Sequence, residues 1–134
     1  MAIELQRDRT AAMAQLLHLR GHDIIADATV AEGGAAAGPS PHDLYDAALG
    51  ACKALTVMWY ANKKGIPVDD VRTVIERDDT QERAGVYRLA ARLQISGGLT
   101  DAQLHELAGV AQKCPLHKLM TVVTTEITTS VERM

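Results

Sequence analysis

The stretch that decides the fold is residues 41–64, which have the sequence PHDLYDAALGACKALTVMWYANKK. Ser40, just before it, is a typical N-cap, and Pro41 suits the first helical position because no intrahelical N–H bond is needed there. The lysines at its end complement the helix dipole, and Gly65 is a typical stop. Together these signals predict one helix from Pro41 to Lys64, roughly 36 Å long.

The middle of this helix, Ala47–Leu55, has almost no polar face. A helix that is apolar on all sides is usually buried on all sides, so we predict a long central helix surrounded by other elements.

The flanking sequence predicts mainly β-structure. Alternation of apolar and polar residues indicates five strands before and after the helix. They cover Met1–Arg7, Met13–Arg20, Asp23–Val30, Val68–Arg77 and Val86–Ile95. The Gly/Ala/Pro-rich run Ala31–Pro41 is expected to be a mobile loop.

The C-terminal third predicts a second helix and a last strand. Thr100 and Gln103 have the spacing of a capping box, so a helix is expected from Thr100 to about Lys113. The Thr- and Val-rich run Thr121–Glu132 is expected to be a final strand. The fold class is therefore α+β, with a largely antiparallel sheet and a central helix.

Composition restricts the function further. The chain has 134 residues, 47% of them apolar, and a net charge of −3, which suits one globular domain over residues 1–134. Without a basic cluster no nucleic-acid partner is expected, and no apolar run is long enough for a membrane span. Residues 1–10 lack the apolar core of a signal peptide, so we expect a cytoplasmic, reducing location.

The only two cysteines, Cys52 and Cys114, are the main chemical candidates. Cys52 lies mid-helix, beyond reach of the helix dipole, so a cation from elsewhere would have to stabilise its thiolate. Cys114 precedes Pro115, and if a short helix starts there, its N–H groups point at the sulfur; local physics thus favours Cys114 as the nucleophile. Cys114 and His117 are too few for a zinc site, and no metal or other cofactor is expected.

Two segments resemble a known family. Residues 38–52, GPSPHDLYDAALGAC, are similar to the signature of the OsmC/Ohr proteins, the osmotically inducible protein C and organic hydroperoxide resistance proteins. Residues 114–117, CPLH, resemble the second-cysteine motif of that family, and Gly21–Asp27 resembles the approach to the signature. The resemblance covers nearly the whole chain and is closest to the OsmC-like branch.

The resemblance implies both an architecture and an activity. The architecture is an intertwined homodimer in which sheets wrap two long central helices and the active sites lie at the subunit interface. The activity is thiol-dependent reduction of organic hydroperoxides in oxidative stress defence, with an external dithiol as reductant. Cys52 would be the peroxidatic cysteine and Cys114 the resolving one, the reverse of the ranking by local physics.

The family also uses an arginine and a glutamate to activate the cysteine. Arg20 is the first candidate for the arginine, with Arg7 and Arg9 behind it. His42 occupies the usual glutamate position, so the adjacent Asp43 is the candidate acid.

Helix spacing suggests an apolar substrate pocket beside Cys52. Its candidate residues are Leu49, Leu55, Met58 and Trp59. Such a pocket would favour organic hydroperoxides over hydrogen peroxide, although these side chains also suit a plain core or a dimer contact.

Two other classes of function remain open. The same cysteines suit a redox-sensing or disulfide-exchange protein that acts on protein partners. An apolar cleft in the dimer suits a non-catalytic binder of a small apolar ligand.

Overall fold

The chain folds into five strands and three α-helices in the computed structural model, which describes residues 1–134. The elements are β1 (Glu4–Arg7), β2 (Gln15–Leu19), β3 (His22–Ala26), α1 (Pro41–Lys64), β4 (Asp70–Asp78), β5 (Arg88–Ser96), α2 (Asp101–Gln112) and α3 (Pro115–Thr121). The strands form two antiparallel sheets, β1-β2-β3 and β4-β5, which confirms the α+β class. None of the helices combines the length and the hydropathy that crossing a membrane requires.

The chain divides into two compact units. The first comprises residues 1–48 and 79–89, and the second comprises residues 49–78 and 90–134. Each is described by itself below.

A three-stranded sheet dominates the first unit. Leu17 of β2 pairs with Leu5 on one side and Ile24 on the other. The β2–β3 turn consists of Arg20 and Gly21, both with positive φ (49° and 84°), which is the backbone of a tight two-residue hairpin.

Strand β3 ends at Ala26, four residues before the predicted end. The Asp27 N–H leaves the sheet and donates to the Pro39 carbonyl (3.1 Å). Thr29 then caps a short 3₁₀ turn at Val30–Glu32. The predicted extension to Val30 is wrong because these capping bonds replace the strand ladder.

The loop that follows is tied down by one carboxylate. The buried Asp27 side chain accepts hydrogen bonds from the backbone N–H groups of Ala28 (2.8 Å), Ala35 (3.0 Å) and Ala37 (3.1 Å). These hydrogen bonds lower the pKa of Asp27 below its ordinary value, and the bond from Ala37 has the largest effect. A Cβ at Gly34 would collide with the Ala28 carbonyl, so the packing is close. The expectation of a mobile loop overlooked this anchor.

Replacing the anchor is expected to release the loop. In Asp27→Ala, amide hydrogen exchange at Ala35 and Ala37 should rise at least about tenfold, because their acceptor is gone. In the unchanged protein the bonds are present at neutral pH. Because the folded pKa is lowered, this stabilisation is lost only when pH falls through a value below 3.8. Amide exchange measured by NMR checks this prediction. As a control, Asp69→Ala removes an exposed acid and should leave both amides protected. Unchanged exchange at Ala35 and Ala37 in Asp27→Ala would contradict the role of Asp27.

Helix α1 has the predicted bounds. Ser40 and Asp43 cap its start reciprocally: the Asp43 N–H donates to Ser40 Oγ (3.2 Å), and the Ser40 N–H donates to Asp43 Oδ2 (3.0 Å). The prediction that α1 is buried on all sides is wrong. One face of the helix, opposite the buried side chains of Val57 and Ala61, carries Leu55 and Trp59, which are 70% and 60% exposed.

The buried face of α1 forms the core of the second unit. Val57 and Ala61 pack with Ile66 and Leu107, all four buried. Gly50 allows β4 to approach closely, since a Cβ there would stand 3.0 Å from Ile75 Cγ1. The chain covers only this side of the helix, which explains the exposure of the other side.

The predicted final strand is absent. Helix α3 extends to Thr121, and residues 124–134 form neither helix nor strand. Ile127 and Val131 are 81% and 95% exposed. The Thr and Val content favours a strand, but a strand forms only against a partner strand, and no strand of this chain pairs with the segment.

Candidate active site

The two cysteines meet in the second unit. They lie 4.0 Å apart, and both are free thiols. Cys52 is half-buried on α1, whereas Cys114 is fully buried just before α3. A disulfide requires two sulfurs to come within about 2.05 Å, so a small movement suffices to join them.

Cys114 is the N-cap of α3, so the short helix on which its proposed activation depends is present. Its sulfur accepts a hydrogen bond from the His117 N–H (3.4 Å), and Pro115 occupies the first helical position. A sulfur that accepts a backbone N–H is stabilised as a thiolate relative to one in an apolar contact. Cys114 therefore has its own local donor, independent of Cys52.

A buried lysine beside Cys52 was missed by the sequence analysis. Lys53 is only 6% exposed, and its ammonium donates to the Ala111 carbonyl (2.8 Å) and lies 3.1 Å from His117 Nδ1. The available signal was that Lys53 is the only charged residue between Ala47 and Met58. Because a cation was expected from elsewhere in the fold, this lysine on the helix itself was not considered.

Two of the four predicted pocket residues share the exposed face of Cys52. At about 100° per residue, Leu55 and Trp59 lie within roughly 60° of Cys52 around the helix axis. Lys63 places its ammonium 4.7 Å from the centre of the Trp59 ring. Leu49 is instead buried, and Met58 is half-buried about 120° away from Cys52. An apolar surface beside Cys52 is therefore formed chiefly by Leu55 and Trp59.

The candidate arginine and acid lie in the first unit. Arg20 is exposed at the β2–β3 turn, and Arg7 at the end of β1 donates to the Ala11 carbonyl (3.1 Å). Asp43 has a structural task, since it caps α1 together with Ser40. Their catalytic roles stay predictions.

The position at which the resemblance expects a glutamate holds His42, whose side chain pairs with Glu82. His42 Nε2 lies 2.6 Å from Glu82 Oε1. Nearby, the Tyr87 hydroxyl donates to Asp46 Oδ1 (2.6 Å), and the Tyr87 ring packs edge-on against His42 with centroids 5.9 Å apart. The start of α1 thus holds a polar cluster that no single sequence motif indicated, because Glu82 and Tyr87 are about 40 residues away from their partners.

Comparisons with known proteins identify a matching family and a common fold. The family described as OsmC-like protein matches residues 33–130. No curated protein matches the chain. The crystal structure of an OsmC-like protein from Mycoplasma pneumoniae has a TM-score of 0.72 at 18% identity and covers 91% of this chain and 87% of its own.

Two further solved structures belong to proteins that are named for hydroperoxide resistance. An organic hydroperoxide resistance protein OsmC, predicted redox protein, from Legionella pneumophila has a TM-score of 0.62 at 19% identity, with 90% of this chain and 88% of that chain covered. The organic hydroperoxide resistance protein OhrB of Bacillus subtilis has a TM-score of 0.59 at 19% identity, with 90% of each chain covered. At such identities these two likenesses show a common fold.

Proposed function

The chain belongs to the OsmC-like protein family, and from this premise we propose that it reduces organic hydroperoxides with the thiols of Cys52 and Cys114. The observation that carries the proposal is the pair of free cysteines 4.0 Å apart, one of them at a helix N-cap. Two neighbours named as organic hydroperoxide resistance proteins support the substrate class. The task would be defence against oxidative stress.

The proposed reaction has three steps. First, the Cys52 thiolate attacks the distal oxygen of the hydroperoxide, the O–O bond breaks, and the leaving alkoxide takes up a proton to become the alcohol. Second, the Cys114 sulfur attacks the resulting sulfenic acid, so that a disulfide forms and water leaves. Third, an external dithiol reduces the disulfide by two exchanges and is itself oxidised.

The apolar face beside Cys52 supports an organic rather than an inorganic peroxide. Leu55 and Trp59 are exposed there. An alkyl or aryl group that packed on them would remove apolar surface from contact with water, which is favourable. Hydrogen peroxide has no such group and gains nothing from these side chains. The proposal keeps Arg20 as the candidate for the activating cation and Asp43 as the candidate acid.

The same face supports a homodimer. Two large exposed side chains, Leu55 and Trp59, lie on one face of a long helix, and the C-terminal segment exposes Ile127 and Val131 without a partner strand. Such surfaces commonly mark contacts with another chain. In the proposed homodimer, α1 packs on a second α1, and the C-terminal segment becomes a strand against the sheet of the partner subunit.

The direct test is stopped-flow oxidation of the reduced protein by cumene hydroperoxide and by hydrogen peroxide. We expect the organic peroxide to react at least about tenfold faster, since burial of an apolar group contributes roughly 1.5–3 kcal/mol. Equal and slow rates, no greater than those of a free thiol, would overturn the peroxidase proposal. Slow peroxide reaction combined with fast dithiol exchange would favour the disulfide-exchange alternative instead.

A further inference from the structure

Lys53 connects α1 to both chain segments that flank Cys114. Its side chain is buried, and its ammonium donates to the Ala111 carbonyl (2.8 Å) and contacts His117 Nδ1 (3.1 Å). Ala111 lies in the last turn of α2, three residues before Cys114, and His117 lies in the first turn of α3, three residues after it.

Both contacts suit the chemistry of their partners. Carbonyl groups in the last turn of a helix lack intrahelical donors, and a cation also complements the negative end of the helix dipole. The ammonium has only donors, so His117 Nδ1 accepts and the ring proton resides on Nε2. A buried ammonium is stable only with such partners, which makes this arrangement specific in geometry.

His117 passes this constraint on to Cys114. Its backbone N–H donates to the Cys114 sulfur (3.4 Å), while its ring is held by Lys53. Lys53 also follows Cys52 directly in α1, so the lysine and the first cysteine move as one rigid piece. The position of one sulfur relative to the other is therefore set through Lys53.

We propose that Lys53 is a positioning residue that holds Cys114 within reach of Cys52 and thereby sets how readily the two form a disulfide. The kinetic consequence rests on the proposed peroxidase function: the second step, attack of Cys114 on the Cys52 sulfenic acid, depends on Lys53, and the first step does not. The equilibrium consequence depends only on the two thiols.

The first experiment measures that equilibrium without any peroxide. Purified protein is equilibrated in glutathione buffers, and the Cys52–Cys114 disulfide is quantified by alkylation and mass spectrometry. Lys53→Met keeps an unbranched side chain, one atom shorter, and removes the ammonium. In this variant the effective concentration of one thiol at the other should fall at least about tenfold, because small displacements of reacting groups have large effects. His117→Leu should cause a similar loss, and the double variant should be no worse than either single one.

Matched controls make this experiment decisive. Lys118→Met removes an exposed lysine from α3 and should leave the effective concentration unchanged. Thermal unfolding followed by circular dichroism identifies any variant that fails to fold, and His117→Leu then tests the same connection from the other side. An effective concentration in Lys53→Met within about twofold of the original, or losses that multiply in the double variant, would overturn the proposal.

The second experiment separates the two steps with cumene hydroperoxide. Lys53→Met should consume the first peroxide equivalent at the original rate but form the disulfide at least about tenfold more slowly, with sulfinic acid accumulating in excess peroxide. A parallel loss in the first step would show that Lys53 acts on Cys52 directly, which overturns a positioning role. If the unaltered protein does not react with peroxide at all, the peroxidase proposal fails, and the glutathione equilibrium still decides the role of Lys53.

Discussion

Cys52→Ser is expected to abolish reduction of organic hydroperoxides, with a loss of roughly 10³-fold or more. A serine hydroxyl attached to the same carbon cannot accept the peroxide oxygen, because only the sulfur can be oxidised to a sulfenic acid. The fold should be unaffected, since Cys52 is only half-buried and the change is nearly isosteric. Peroxide consumption measured with saturating dithiol checks the loss.

Cys114→Ser separates the two cysteine roles. The first turnover should proceed at nearly the original rate and stop at a sulfenic acid on Cys52, seen as a mass gain of about 16 Da. Excess peroxide should then carry Cys52 on to the sulfinic acid, because no second thiol lies near enough to protect it.

The opposite result is physically possible and would be informative. The Cys114 sulfur accepts a hydrogen bond from the His117 N–H. The cation that follows Cys52 in sequence, Lys53, instead contacts Ala111 and His117. If Cys52→Ser retains the first oxidation and Cys114→Ser loses it, Cys114 is the peroxidatic cysteine. The assignment based on the family would then be wrong, and the ranking by local physics would be right.

Features that depend on neighbouring residues were predictable from the sequence. The bounds of α1, the capping box of Thr100 and Gln103, and the N-cap position of Cys114 all follow from side chains that bond backbone groups within four residues. In these capping motifs the donor and the acceptor lie within a few residues of each other, so the motif can be recognised without knowing the rest of the chain.

Features that depend on distant partners were not predictable in the same way. Asp27 anchors backbone groups up to ten residues away, and Lys53 binds residues 58 and 64 positions further on. The isolation of Lys53 in an apolar run is a local sign of burial, but neither charge can be assigned its partners from the sequence around it. The proximity of Cys52 and Cys114 belongs to the same class: the sequence left it open, because spacing alone does not bring two helices together.

The errors concerning α1 and the C-terminal segment have one common cause. The helix prediction took an apolar pattern to mean burial, and the strand prediction took Thr and Val content to mean strand pairing. In both places this chain alone does not supply the partner surface. A second copy of the chain would account for both at once. The pattern would then be correct for the assembly, and the single chain would show half of each contact.

Leu55→Asp is accordingly expected to convert the proposed homodimer to a monomer. In a twofold-symmetric interface one substitution changes two sites. Each site loses roughly 1.5–3 kcal/mol of apolar burial and gains a carboxylate, so the dissociation constant should rise at least about 100-fold. Sedimentation velocity over a dilution series measures this shift. Because the active sites are expected at the interface, peroxide turnover should fall in parallel with the dimer fraction.

Ala108→Asp is the matched control for the added charge. It places the same carboxylate on an exposed position of α2, a different helix from the one that carries Leu55 and Trp59, and should leave the dissociation constant unchanged. A monomeric unaltered protein would refute the dimer itself. A Leu55→Asp protein that remains a dimer would instead place the interface elsewhere, and Leu55 and Trp59 would then be free to serve as the substrate surface alone. Leu55→Asp therefore separates the two tasks assigned to this face. If the face binds a second subunit, turnover and association are lost together. If it binds only an alkyl group, turnover falls while the dimer remains.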